Sequence, residues 1–150
     1  MNKYAFLCLL SGVLTVCYSA NAQSVKSVAA TQEAGAAPSQ AYSQVASEIA
    51  DLMRRATVLS DDKALTLLRK ESPTLIARAG KVKPLYVRWL KTLSPAEIRA
   101  EEKRLSGSSW GKYFTNLENS LESAPIGAKV SRNRAIAEYV MSLMTIFNGV

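Results

Sequence analysis

Pro84-Leu85-Tyr86-Val87-Arg88-Trp89-Leu90-Lys91-Thr92-Leu93-Ser94-Pro95-Ala96-Glu97-Ile98 is the stretch on which the fold turns. Leu85, Trp89 and Leu93 recur at four-residue steps, with Tyr86 and Leu90 beside them, which is the stripe of an amphipathic helix. Ser94-Pro95-Ala96-Glu97 then spells a capping box. The serine hydroxyl serves the N–H three residues on, the glutamate reaches back, and proline takes the first helical position, where its missing N–H costs nothing. One helix closes and another opens within a few residues, so the chain is built from short helices with brief connections.

The same punctuation extends in both directions. Downstream, the capped helix runs to about Leu105 and Gly107 closes it. Trp110, Phe114, Leu117 and Leu121 step by four, three and four, and that helix ends before Pro125 and Gly127. A last helix from about Arg132 to Phe147 carries Ile136, Tyr139, Val140, Leu143, Met144 and Phe147, with Ser131 as its expected cap. Upstream, Val45, Ile49, Leu52, Met53 and Leu59 mark a helix over Ser43 to Leu59. Ser60-Asp61-Asp62 offers a cap and two carboxylates to the positive end of the next helix. That helix holds Leu65 and Leu68 and is expected to stop before Pro73. Ser72-Pro73 starts a short piece that Gly80 ends. No alternating strand pattern, hairpin turn or internal repeat is present. The fold class expected is all-α, a compact bundle of five to seven short amphipathic helices over residues 42–150.

The N-terminus reads as a secretory signal. Lys3 precedes an apolar run from Ala5 to Val16, too short to span a bilayer, and Ala20-Asn21-Ala22 has the small-x-small pattern of a cleavage site. Residues 1–22 are therefore expected to be removed, with export to the periplasm as the first destination and secretion as the second. Residues 23–41, rich in Ala, Ser and Gln, are expected to form a flexible leader.

Both cysteines, Cys8 and Cys17, lie in the signal, and the sequence has no histidine. The mature chain thus has no His or Cys chemistry: no triad, thiolate, disulfide, or zinc site built on those residues. No phosphate-binding glycine loop appears. Asp61-Asp62 and Glu101-Glu102 are the only adjacent acid pairs. Neighbours on a helix diverge by ~100°, so neither pair converges on a metal, and the second pair is expected to be solvated. Ser60-Asp61-Asp62-Lys63 and Ser109-Trp110-Gly111-Lys112 both spell S-x-x-K. The companion motifs of serine–lysine enzymes are absent, and the chain is too short for that fold. The sequence points to no cofactor and no enzyme activity.

Charge is more informative. The chain carries +7, and loss of Lys3 leaves +6. Between Glu71 and Glu97 there is no acid, while Arg78, Lys81, Lys83, Arg88 and Lys91 all fall there, interleaved with Tyr86 and Trp89. Those five cations are the candidate binding residues, for an anionic surface such as membrane headgroups or a polyanion, or for an envelope protein. Nucleic acid ranks behind both. The same residues also suit a solvated face, with Trp89 and Tyr86 turned inward.

Two motifs within about residues 85–124 resemble a Gram-negative family of small exported helical proteins known only as a domain of unknown function. Its "Thr/Ser-Pro-x-Glu-Leu" helix start is matched here by Ser94-Pro95-Ala96-Glu97-Ile98, and its "Ser-Pro-x-Gly" turn by Ser108-Ser109-Trp110-Gly111. Ser109 stands where the family usually has proline, and Leu105-Ser106 where it usually has aromatics. The resemblance implies an exported protein and supplies no catalytic residue.

Overall fold

The computed structural model describes residues 28–120 and 125–147, with side chains described over 38–117 and 126–147. The expected signal peptide, residues 1–22, its cleavage junction and both cysteines lie outside the described residues. Among those described, every regular element is helical: α1 Val28–Val58, α2 Asp61–Leu90, α3 Pro95–Gly107, α4 Ser109–Ser120, α5 Pro125–Arg132, α6 Arg134–Met144 and a closing 3-10 turn Thr145–Phe147. The fold is a compact all-α bundle, as the periodicity predicts.

The frame is a long antiparallel hairpin of α1 and α2, joined only through Leu59 and Ser60. Its register is legible in the cross-pairs. Arg55 grips Glu71, with Nη1 donating to Oε1 at 3.1 Å, and Arg78 grips Glu48, with Nη2 donating to Oε1 at 3.0 Å. The Tyr42 and Tyr86 rings stack at 4.1 Å. Glu48 and Arg55 are two turns apart on α1, and Glu71 and Arg78 two turns apart on α2, so the pairs flank one continuous seam. α6 packs across α2, and α4 and α5 close over α1. Ile49, Leu52, Met53, Leu68, Ile126, Ile136, Leu143 and Ile146 fill the space between them and are fully buried.

Three expectations need correction. The segment 61–93, expected as three short pieces broken at Pro73 and Gly80, is one helix of 30 residues up to Leu90, with Pro73 and Pro84 inside it. Each proline removes a bond to the carbonyl four residues earlier. Both prolines are exposed, and so are Arg69 and Gly80, whose carbonyls lose their partners, so those carbonyls are on the side open to solvent. The opposite side buries Ala64, Leu68, Ser72, Leu75 and Ala79, and this continuous packing outweighs the interruptions. Second, the stretch 23–41 is helical from Val28, so the expected boundary at residue 42 falls inside α1. Ser39 is already buried against α3. Third, α4 ends before Pro125 as expected, but Pro125 then opens an extra two-turn helix, and α6 is capped by Asn133, not Ser131. The Asn133 side chain accepts from the Ile136 N–H at 3.2 Å, whereas Ser131 Oγ donates back to the Gly127 carbonyl at 3.0 Å.

The two short-range signals around residues 94–111 hold in detail. Ser94 N–H donates to Glu97 Oε2 at 2.7 Å, and the Ser94 hydroxyl accepts from Glu97 N–H at 3.4 Å, which completes the box. Ser108 Oγ accepts from the Gly111 N–H at 3.0 Å and starts α4. Gly111 is required by a close approach. A Cβ there would lie 2.1 Å from the Leu105 carbonyl oxygen, a backbone atom that cannot swing aside. Helix propensity alone favours alanine over glycine by about 1 kcal/mol. Steric conflict reverses that sign, and Gly111→Ala should lower stability by about 2–3 kcal/mol in a denaturant melt. A variant as stable as the parent would show that the α3–α4 corner is looser than described.

Candidate functional site

The five cations singled out by the sequence do not form one patch. Arg78 faces α1 and is held by Glu48, and the hydrogen bonds and charge of this pair push the Glu48 carboxyl below its ordinary range. Lys83 lies beneath the 3-10 turn, with Nζ donating to the Thr145 carbonyl at 3.1 Å; burial lowers its pKa. Both act as internal ties. Lys81, Arg88 and Lys91 are exposed and pair with no carboxylate among the described residues.

Reading α2 as one unbroken helix adds two residues to these three. Lys63, Lys70, Lys81 and Arg88 follow one another at about two, three and two turns, which returns each to nearly the same side of the helix. That side is opposite the one carrying Ala64, Leu68, Leu75, Ala79 and Tyr86, and all four cations are exposed. At ~1.5 Å per residue the row is roughly 38 Å long, and Lys91 continues it past the end of α2. It is a convex ridge without walls. Of the carboxylates near it, Glu71 and Glu48 are committed to Arg55 and Arg78 on the hairpin seam and Asp61 to Lys129 and Arg132, which leaves Asp62, exposed beside Lys63, as an opposing charge at the first end of the row. Glu48, Asp61 and Glu71 are thus held in pairs between helices, while Lys63, Lys70, Lys81 and Arg88 stay exposed along one face of α2.

Leu85 interrupts this ridge. It is one turn from Lys81 on one side and from Arg88 on the other, and it is 55% exposed. The helical stripe of Leu85, Trp89 and Leu93 predicts the opposite, with Leu85 inside. The buried residue is instead Tyr86, at 1% exposure, with Trp89 half-buried and its ring 5.7 Å from that of Tyr86. One position of rotation moves the core contact from a leucine to a tyrosine, because Tyr42 supplies a ring for it to stack on.

A second polar cluster had only a faint marker in the sequence, Arg104 three residues after Glu101. Glu101, expected to be solvated beside Glu102, is buried. Neighbouring helix positions diverge by ~100°, and α3 turns Glu101 inward. Its Oε1 accepts from Ser39 Oγ at 2.7 Å, from the Tyr86 hydroxyl at 3.3 Å and from Arg104 Nη2 at 2.8 Å, while Oε2 accepts from Arg104 Nε at 2.7 Å. Arg104 also donates to Ser39 Oγ and Ser43 Oγ, at 2.7 and 3.0 Å. Burial pushes the Glu101 carboxyl up, but the hydrogen bonds of Arg104 and Ser39, with the Arg104 charge, outweigh it and leave it below its ordinary value. Burial first, and then the Glu101 charge, push the Tyr86 hydroxyl up, so it stays protonated as a donor. This cluster is fully paired and closed to a substrate; it fastens α3 to the hairpin.

At the opposite end of the hairpin, Lys129 reaches under the α1–α2 turn. Its Nζ donates to the Leu59 carbonyl and, at 3.0 Å, to Asp61 Oδ1, while Arg132 donates to both Asp61 oxygens at 2.7 and 2.8 Å. These hydrogen bonds, that of Arg132 foremost, hold the Asp61 carboxyl far below its usual range. Among the described residues no three acids converge as metal ligands, and no helix is long and apolar enough to cross a membrane. Of the arrangements described, the α2 ridge is the longest row of exposed cations on a single helix. Set against known protein families, curated proteins and solved structures, the chain matches none of them.

Proposed function

We propose that this chain is an exported, non-catalytic binding or accessory protein that docks through the outer face of α2 to an anionic surface. The row Lys63, Lys70, Lys81, Arg88 and Lys91 carries the reading, because it places unpaired cations on the side of α2 away from the core. A mere solubility coat needs charge of either sign, spread out; this face has cations along its length, with Glu71, Glu48 and Asp61 occupied elsewhere and Asp62 alone beside its first lysine. The A-x-A motif ending at Ala22 supports export, and the short-helix motifs of residues 85–124, similar to those of an exported Gram-negative family, support the same setting. An enzymatic role has no support in the residue types present.

Cell fractionation with N-terminal sequencing tests the export half of this reading. The expected product begins at Gln23 and is recovered from the periplasm. Recovery from the medium favours the second reading, a secreted effector that acts on a host or on foreign membranes. Retention of residues 1–22, or lipid on Cys17, overturns the cleavage.

A further inference from the structure

We infer that the surface met by the α2 ridge is an anionic phospholipid bilayer, with Leu85 as the apolar contact inserted between the flanking cations. The inference rests on the docking reading above and names its target. Two observations select a bilayer over a soluble polyanion. The first is shape. Polyanionic strands are gripped in grooves that follow the backbone and stack its bases. Here the cations stand on the outer side of a single helix, along roughly 38 Å, and a row without walls lies against a plane more readily than it encloses a strand. The second is Leu85. A large aliphatic side chain left 55% exposed amid Lys81 and Arg88 has nothing to gain from a phosphate polymer. At a bilayer it leaves water for the acyl boundary while its basic neighbours stay level with the headgroups. Pro84, exposed beside it, adds apolar surface without a backbone donor to bury. The other side of α2 is occupied by the protein core, so the helix lies on the membrane as part of the folded bundle and does not peel away into it.

The test is co-sedimentation of the exported protein with vesicles of phosphatidylcholine, with and without phosphatidylglycerol, at low and high salt, alongside binding to soluble polyphosphate. Binding should require phosphatidylglycerol and weaken steeply with salt, since exposed charges are screened over ~8 Å at physiological ionic strength. Each cation removed should lower partitioning about fivefold, so the triple substitution Lys81→Glu, Arg88→Glu, Lys91→Glu should reduce it by more than about a hundredfold. Leu85→Ala should weaken vesicle binding about five- to tenfold and leave polyphosphate binding unchanged. All these side chains are exposed, so the melts should match the parent. If the triple variant melts early, Lys81→Gln and Arg88→Gln singly should each still give the fivefold loss. Vesicle binding indifferent to Leu85→Ala overturns the bilayer contact. Binding to polyphosphate without binding to vesicles overturns the bilayer and leaves the docking reading standing. Absence of salt-sensitive binding to either overturns both.

Discussion

Tyr86→Ala should lower stability by about 3–5 kcal/mol, the range for truncating a fully buried aromatic. Tyr86 is 1% exposed, stacks on Tyr42 at 4.1 Å and donates its hydroxyl to Glu101 at 3.3 Å. Truncation leaves a ring-sized cavity on the α1–α2 seam, strips Tyr42 of its partner and takes a donor from a buried carboxylate. For a domain of this size the melting temperature should drop by about 10–20 °C. Tyr86→Phe keeps the ring and should cost only about 1 kcal/mol, the net worth of the hydrogen bond. Trp89→Ala, although the larger truncation, should cost about 1–2 kcal/mol, because half of that side chain is already in water. The ordering is the test: a Trp89 variant less stable than the Tyr86 variant would place the core contact of α2 at Trp89, three residues on from where it is described.

Glu101→Ala should lower stability by about 2–3 kcal/mol and loosen α3 first. The substitution leaves Ser39 and the Tyr86 hydroxyl without their buried acceptor; Arg104, nearly half exposed, recovers part of its loss by hydration. The pH dependence carries a separate signature. The folded-state pKa of Glu101 is depressed, so its contribution is fully present above the unfolded value, near 4.3, and is lost as pH falls through the lower folded value. Glu48, Glu71 and Asp61 are depressed in the same direction by their arginine and lysine partners, so the parent should weaken progressively below about pH 4. Glu101→Gln should flatten that acid limb while leaving the others' share. Urea melts of parent and variant from neutral pH to the acid range measure both slopes; identical slopes would mean that the Glu101 carboxyl titrates alike in the folded and unfolded chain, against the depressed value described.

The local signals in the chain carried the fold class further than its boundaries. Ser94 to Glu97 and Ser108 to Gly111 act within four residues of themselves, and both form as their sequence dictates. Pro73 and Gly80 misled for the converse reason. Their local preference to break a helix lost to burial of Leu68, Leu75 and Ala79 against partners far away in sequence, which no short window contains. That break also hid the ridge: Lys63 and Lys70 align with Lys81 and Arg88 only if the helix runs through Pro73. Glu101 had a faint marker in Arg104 three residues on, but Ser39 and Tyr86, which make it a buried acceptor, come from other helices. The bridge from Asp61 to Lys129 and Arg132 joins residues that carry no local hint of each other.

Phe147 has a consequence for when the bundle can finish folding. Its ring lies 4.4 Å from that of Phe114, 6.0 Å from Trp110 and 6.4 Å from Tyr42, centroid to centroid, and so joins the last turn to helices made much earlier. A ribosome delivers the α1–α2 hairpin long before this ring emerges. Until then Tyr42, Trp110 and Phe114 lack one wall of their cluster, and the contacts that close it have long sequence separation and form late. The aromatic cluster therefore remains incomplete throughout synthesis of α1 to α6.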